Sequence, residues 1–231
     1  LRLPQRHWLK KQATPTADER AVECALSHYY CEKAQPLLAA HNIKSASKEL
    51  EMARRYDSSN VRAYLLSADV AISQKKPQQA LDLLHTVIER QPAYASEVLP
   101  IFRKAFSGFG DRSAYLDALQ RIAVQVNSAA FIIEATVIMA ERDGYDKALS
   151  YLCDAAMHRP TLALLSAVID RSEEDRGPSV VLVRQLLDQL KFERPTYRCR
   201  HCGFSGQKLH WLCPSCEQWG TIAPIRGIQG D

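Results

Sequence analysis

Val61-Arg-Ala-Tyr64-Leu65-Leu66-Ser-Ala68, then Gln79-Ala80-Leu81-Asp-Leu83-Leu84, then Val87-Ile88 and Pro92, is the stretch that decides the fold. It reads as two amphipathic helices, with a small residue early in the second and a proline at its end. The pattern recurs along the chain. Ala46, Ala80, Ala114 and Ala148 stand 34 residues apart, and Leu50, Leu84, Ala118 and Leu152 follow four positions behind, with Leu186 one period further. A frame starting at Ser27, Val61, Ala95, Ala129 and Ala163 gives five consecutive units, 27–60, 61–94, 95–128, 129–162 and 163–194. Pro92 and Pro160 close their units two periods apart. A fixed period of this length marks a stacked array, because one unit cannot bury its own apolar face.

Elementary packing explains the positions. The alanine is expected where the two helices of a unit cross, since a larger side chain there pushes them apart. The proline stops the second helix and suits the turn into the next. The third unit is degenerate, with Pro100 inside its first helix and Gly108-Phe-Gly110-Asp111 at its interhelical turn; the fifth has Leu182 in place of the alanine. Period and residue pattern resemble the tetratricopeptide repeat. That resemblance implies an all-α, right-handed superhelical solenoid whose first helices line a concave groove. By the family pattern the groove carries Leu65, Ile72, Leu99, Phe106, Ile133 and Val137, an apolar set that calls for a cover, either the C-terminal segment or a partner. Residues 1–26 read as part of a preceding repeat: a basic start (Arg2, Arg6, Lys10, Lys11), then a turn at Thr14 to Glu19 entering a helix.

Composition agrees with a helical body. Only nine glycines occur in 231 residues, and six of them lie at or after Gly177. Thirty basic against 26 acidic residues give a balance too mild for a dedicated nucleic-acid binder. The longest apolar tract, Ala129 to Ala140, is broken by Glu134 and too short to span a bilayer. No nucleophile motif or phosphate loop is present, so a non-enzymatic role is expected.

Seven cysteines fit poorly with a complete disulfide framework and suit a reducing compartment. Cys24 and Cys31, on one helix, would lie roughly 10 Å apart, too far for a bridge. Four of the others form two C-x-x-C pairs, Cys199/Cys202 and Cys213/Cys216. Residues 195–231 are too few to hold themselves folded by apolar burial. Four thiolates can close a tetrahedral shell around one metal ion, which supplies the missing folding energy. Gly203 permits a left-handed knuckle, and Tyr197, Phe204, Trp211 and Trp219 are expected to pack around the ion. With four sulfurs in place, His201 and His210 are not needed as ligands. The run Tyr197-x-Cys-x-x-Cys-Gly-Phe204 with Cys213-Pro-x-Cys216 resembles the rubredoxin knuckles, although the interval between the pairs is shorter and Glu217 replaces a glycine. Iron is the expected ion, and zinc suits the same cage.

Repeats running into such a module, ending Cys216-Glu-Gln-Trp219-Gly-Thr-Ile-Ala-Pro224-Ile225-Arg226-Gly227, closely resemble the lipopolysaccharide assembly protein B family of Gram-negative bacteria. The resemblance implies a non-catalytic adaptor that promotes degradation of the lipid A pathway deacetylase LpxC by the membrane protease FtsH. It also implies other inner-membrane lipopolysaccharide-assembly partners and metal ligation by Cys199, Cys202, Cys213 and Cys216. Family members carry an N-terminal membrane helix and further repeats, so this chain is expected to be a cytoplasmic portion at the inner-membrane face. Two other classes compete: a rubredoxin-type electron-transfer protein, and a zinc-ribbon nucleic-acid binder drawing on Lys191, Arg194, Arg198, Arg200 and Lys208.

Overall fold

The structure, a computed structural model, describes residues 16–171 and 178–227. Among the described residues ten α-helices follow one another in pairs. They are α1 (Ala17–Ala39) with α2 (Ile43–Tyr56), α3 (Val61–Ser73) with α4 (Pro77–Arg90), and α5 (Ala95–Ser107) with α6 (Arg112–Val126). Then come α7 (Ala129–Asp143) with α8 (Tyr145–His158), and α9 (Leu162–Arg171) with α10 (Pro178–Glu193). Each second helix up to α8 packs on the first helix of the next unit, and successive first helices (α1, α3, α5, α7, α9) also touch one another. This is a tetratricopeptide-type solenoid. The basic start of the chain, residues 1–15, lies outside the described residues.

Local chemistry sets the helix starts. Thr16 and Glu19 close a capping box on α1. The side chains of Asn42, Asn60 and Asp111 accept the backbone N–H of Ser45, Ala63 and Ala114 and so cap α2, α3 and α6. Asn60 does more: its amide donates to Ser27 Oγ at 2.7 Å, and that hydroxyl donates to the Ala53 carbonyl at 2.7 Å. Both side chains are buried, so one satisfied polar relay ties α1, α2 and α3 together. A single apolar core then runs from α3 to α9, with Phe102 and Phe131 fully enclosed.

Ala46, Ala80 and Ala148 are buried, as the crossing argument requires, but Ala114 is exposed. The reason lies in the turn. A left-handed residue precedes the cap of α2 (His41), α4 (Lys75) and α6 (Gly110), and the last stands one residue late in the period. One extra residue rotates α6 by about 100°. Its buried face becomes Tyr115, Leu116, Ala118 and Leu119, and rings replace the small contact: Tyr115 lies 5.1 Å from Phe106 and 6.1 Å from Phe102. We therefore expect Ala80→Leu to cost about 1–3 kcal/mol by overpacking, whereas Ala114→Leu stays within about 0.5 kcal/mol. Paired urea melts would separate the two.

The groove expectation also needs correction. Leu99 is buried, and Leu65, Ile72, Phe106 and Ile133 are packed into the core; of the six, Val137 alone is exposed. Between neighbouring first helices run polar ties instead, Arg103 to Glu134 at 2.6 Å and Lys104 to Asp69 at 3.3 Å, and from the second helix α6 Tyr115 Oη donates to the same Glu134 at 2.9 Å. The periodic Leu186 is half exposed rather than core, because among the described residues no further helix covers α10.

Candidate metal centre

After α10 the chain forms a three-stranded antiparallel sheet, β1 (Tyr197–Cys199), β2 (Ser205–Gly206) and β3 (Ile222–Pro224), in the order β2-β1-β3. The first C-x-x-C turn links β1 to β2, and the second lies in the long return to β3. The two turns are built alike. Gly203 N–H donates to the Cys199 carbonyl at 3.1 Å and Glu217 N–H to the Cys213 carbonyl at 2.9 Å. Gly203 has φ +80° and Glu217 φ +54°, so the glutamate adopts the left-handed conformation that glycine would take at less cost. The departure from the rubredoxin pattern at Glu217 thus leaves the knuckle intact.

The four sulfurs all lie within 4.8 Å of one another, with Cys199–Cys216 at 3.8 Å and Cys202–Cys213 at 3.7 Å. A tetrahedron of thiolates at a metal–sulfur distance of about 2.3 Å has edges of about 3.8 Å, so the donor set fits one such ion. Electrostatics points the same way. Burial acts to raise the Cys199 thiol, but N–H groups of Cys202 and His201 and the Thr221 hydroxyl outweigh it and bring it down to about 6. In Cys216, burial, with the neighbouring thiols adding and the Gln218 N–H opposing, pushes it up to about 12. Four packed thiolates repel one another, and a divalent cation is what lets all four ionise. Of the two histidines, His201 Nε2 sits 3.3 Å from Gln218 Nε2 and His210 lies edge-on to Phe204, and neither joins the four-sulfur group.

Cys199, Cys213 and Ile222 form the module's small core, with Tyr197, Phe204 and Leu209 against it. The two tryptophans do not join them. Trp219 stacks on His28 of α1 at 4.9 Å, while Trp211 lies 6.1 Å from His28 and 6.3 Å from Tyr94. They face the repeats because the module is docked there. Tyr94 Oη donates to the Ile222 carbonyl at 2.7 Å, Tyr197 Oη to Glu97 at 2.5 Å, and Arg226 to the Val126 carbonyl. Gly220 passes directly over His28 and Cys24. The contacts fall on α1, the start of α5 and the end of α6, an edge of the array and not the expected groove residues. Among residues overlooked in the sequence, Tyr94, Glu97 and His28 carried no local signal. Two indoles on a module too small to bury them were the available hint.

His28 is buried at this joint, and its Nδ1 has no hydrogen-bond partner. Burial, with the Arg62 charge adding and Asp57 and Glu32 opposing, brings the ring down to about 4. The neutral ring is therefore the docked form. Above its ordinary value of 6.5 neither state binds the proton; below it the released state protonates first. Docking should weaken as pH falls from 6.5 toward 4, and His28→Gln should flatten that part of the profile. Tryptophan emission against pH checks this.

Residues 197–224 match the family model of a rubredoxin metal-binding domain. Across the whole chain, lipopolysaccharide assembly protein B of Escherichia coli strain K12 is 30% identical over 222 residues, covering 92% of this chain and 56% of that protein. The chain is a homologue of lipopolysaccharide assembly protein B. The Haemophilus influenzae protein of that name is 28% identical over 221 residues, covering 94% of this chain and 55% of its own length. The chain thus spans about half the length of the lipopolysaccharide assembly protein B relatives it matches. Among solved structures, MamA aligns with a TM-score of 0.41 at 14% identity, covering 71% of this chain and 87% of that one. Pseudomonas aeruginosa pilF aligns at 0.44 and 14%, covering 72% and 76%. No described helix is long and apolar enough to cross a membrane.

Proposed function

We propose that Cys199, Cys202, Cys213 and Cys216 ligate one tetrahedral metal ion, and that the protein is a non-catalytic adaptor restraining lipopolysaccharide synthesis. In this reading it works at the cytoplasmic face of the inner membrane and promotes FtsH-mediated proteolysis of LpxC. The observation that carries the reading is the docked module: a closed four-sulfur cage joined to a repeat array at three of its helices. A shell with four protein ligands leaves no open position and is the structural type of site. Its effect here is to shape a composite surface of array and module, which suits a scaffold that holds two partners. The rubredoxin-type double knuckle favours iron as the ion, with zinc as the alternative in the same cage.

The test uses the full-length protein in its native membrane. LpxC half-life is measured in cells lacking the protein and in cells complemented with wild-type or Cys199→Ser/Cys202→Ser. Restored turnover with the wild type alone is the expected result. Rapid LpxC turnover without the protein would sink the adaptor role; turnover rescued by the serine variant would sink the need for the metal. Metal analysis of the purified chain decides between iron and zinc.

A further inference from the structure

Where the module meets the array, the two enclose a cavity of about 210 Å³. At about 30 Å³ for a water molecule in the liquid, that is room for roughly seven waters or one organic molecule of amino-acid size. Neither unit makes the cavity alone. The array contributes one side, with Cys24, His28, Asp57 and Gln91, and the module the other, with Arg200 and Trp211. Small-molecule sites favour joints of this kind, where a few polar groups converge between packed units.

Which polar groups are already committed decides what the cavity takes. Tyr94, also in its wall, donates its hydroxyl to the Ile222 carbonyl. Asp57 Oδ1 accepts the backbone N–H and the hydroxyl of Ser59 at 2.8 and 2.6 Å. Among the described residues, the Arg200 guanidinium makes no ion pair or hydrogen bond, and the Gln91 amide and the Trp211 indole N–H make no hydrogen bond. Arg200 reaches inward nonetheless: burial raises the Tyr94 hydroxyl, and the Arg200 charge opposes that rise. Arg200 and Asp57 thus line one cavity from the two sides of the joint without pairing with each other. A cation and an anion so placed suit a ligand that carries both charges, and the planar guanidinium fork matches an oxyanion.

The same residues argue against catalysis. Cys24, His28 and Asp57 have the residue types of a nucleophile with its base. Yet burial first and the Asp57 charge next push the Cys24 thiol up to about 11, and burial brings His28 down to about 4. A neutral thiol beside so weak a base holds a ligand rather than attacks it.

We propose that the joint is a binding site for a small zwitterion, its oxyanion on Arg200 and its ammonium on Asp57. Gln91 and the Trp211 N–H supply further hydrogen bonds, and the rings of Tyr94 and Trp211 take the carbon skeleton. α-Amino acids and phosphoethanolamine share this chemistry and this size. Because both units hold the ligand, it binds the docked state alone and favours docking by the factor 1 + [L]/Kd.

The experiment uses the metal-loaded chain and reads Cys24 alkylation by mass mapping, with calorimetry to obtain each Kd. The test ligands are the proteinogenic α-amino acids taken singly and phosphoethanolamine, with acetate and ethanolamine as half-ligands. A zwitterion at about ten times its Kd should slow Cys24 alkylation about tenfold, and the half-ligands should not. Arg200→Gln, an exposed change outside the sulfur cage, should abolish the protection with metal content and circular dichroism unaltered. Asp57→Asn keeps an oxygen for Ser59 and should bring acetate level with the zwitterion, a change of preference that lost packing would not produce. Protection by an amino acid upholds the proposal and names a free metabolite as the source; protection by phosphoethanolamine alone upholds it and names a lipid headgroup. No protection by any zwitterion overturns it, as does protection that survives Arg200→Gln, or acetate that protects the wild type equally well.

Discussion

Replacing Cys199 and Cys202 together with serine releases the module from the array and leaves the repeat helices in place. The module's own core, Cys199, Cys213 and Ile222 with a few half-buried neighbours, is far too small to fold alone. Structural four-ligand metal sites contribute apparent free energies of about 10–16 kcal/mol, so losing the ion removes most of what folds the segment. The array's core runs from α3 to α9 and takes in only Ala223 of the module as a buried member, with Leu209 and Trp211 packed against it, so most of it stays when the module leaves. Once the module unfolds, Trp211 and Trp219 leave His28, and the cover over Cys24 goes with them. In the docked state Cys24 Sγ lies 3.8 Å from the Trp219 carbonyl, beneath Gly220. The expected result is a red shift in tryptophan emission and a rise in Cys24 alkylation of at least about tenfold, set by the opening equilibrium, with far-ultraviolet dichroism nearly unchanged. Mass mapping separates Cys24 from the module's own thiols. Cys24 still protected in the variant would mean that the module folds on the array without its metal, and the clamp idea would fail.

Much of this architecture could be read from residue spacing because stacked repeats obey local rules. A period of 34 fixed by alanine and leucine positions needs no knowledge of distant contacts, and two C-x-x-C pairs announce their sulfur cage in the same way. The reading failed where tertiary geometry intervened. Ala114 keeps the sequence period yet is exposed, because one added residue in the Gly108–Asp111 turn rotates α6 and rings take over the contact. Leu186 keeps the period and is exposed, because among the described residues no helix packs across α10 as α3, α5, α7 and α9 pack across the earlier second helices. Composition alone places Trp211 and Trp219 around the metal site, while the contact that holds them is made with His28 and Tyr94, more than 100 residues earlier in the chain. No pattern within a 34-residue unit encodes that pairing.

Gly220→Val should undock the module while its metal stays bound, and so separates two roles that the cysteine variant removes together. Gly220 has φ +64°, which costs a β-branched residue about 2 kcal/mol. Its added Cβ would stand 3.3 Å from His28 Nε2 and 3.4 Å from Cys24 Sγ. His28 cannot swing aside easily, because Trp219 is stacked on its ring at 4.9 Å and Trp211 lies at 6.1 Å. The backbone strain is borne by the module in both states, whereas the clash with His28 and Cys24 exists only when it is docked and so shifts that equilibrium toward release. The four sulfurs are untouched, since Gly220 lies four residues beyond Cys216 and supports the fold through its N–H to the Trp211 carbonyl, which valine retains. Metal content should therefore remain one ion per chain, while Cys24 alkylation rises as in the cysteine variant. If docking creates the surface on which partners meet, LpxC turnover falls in this variant as far as it does when the metal is lost. Should turnover stay normal with the module demonstrably released, the array and the module act independently, and the composite surface is not what the partners recognise.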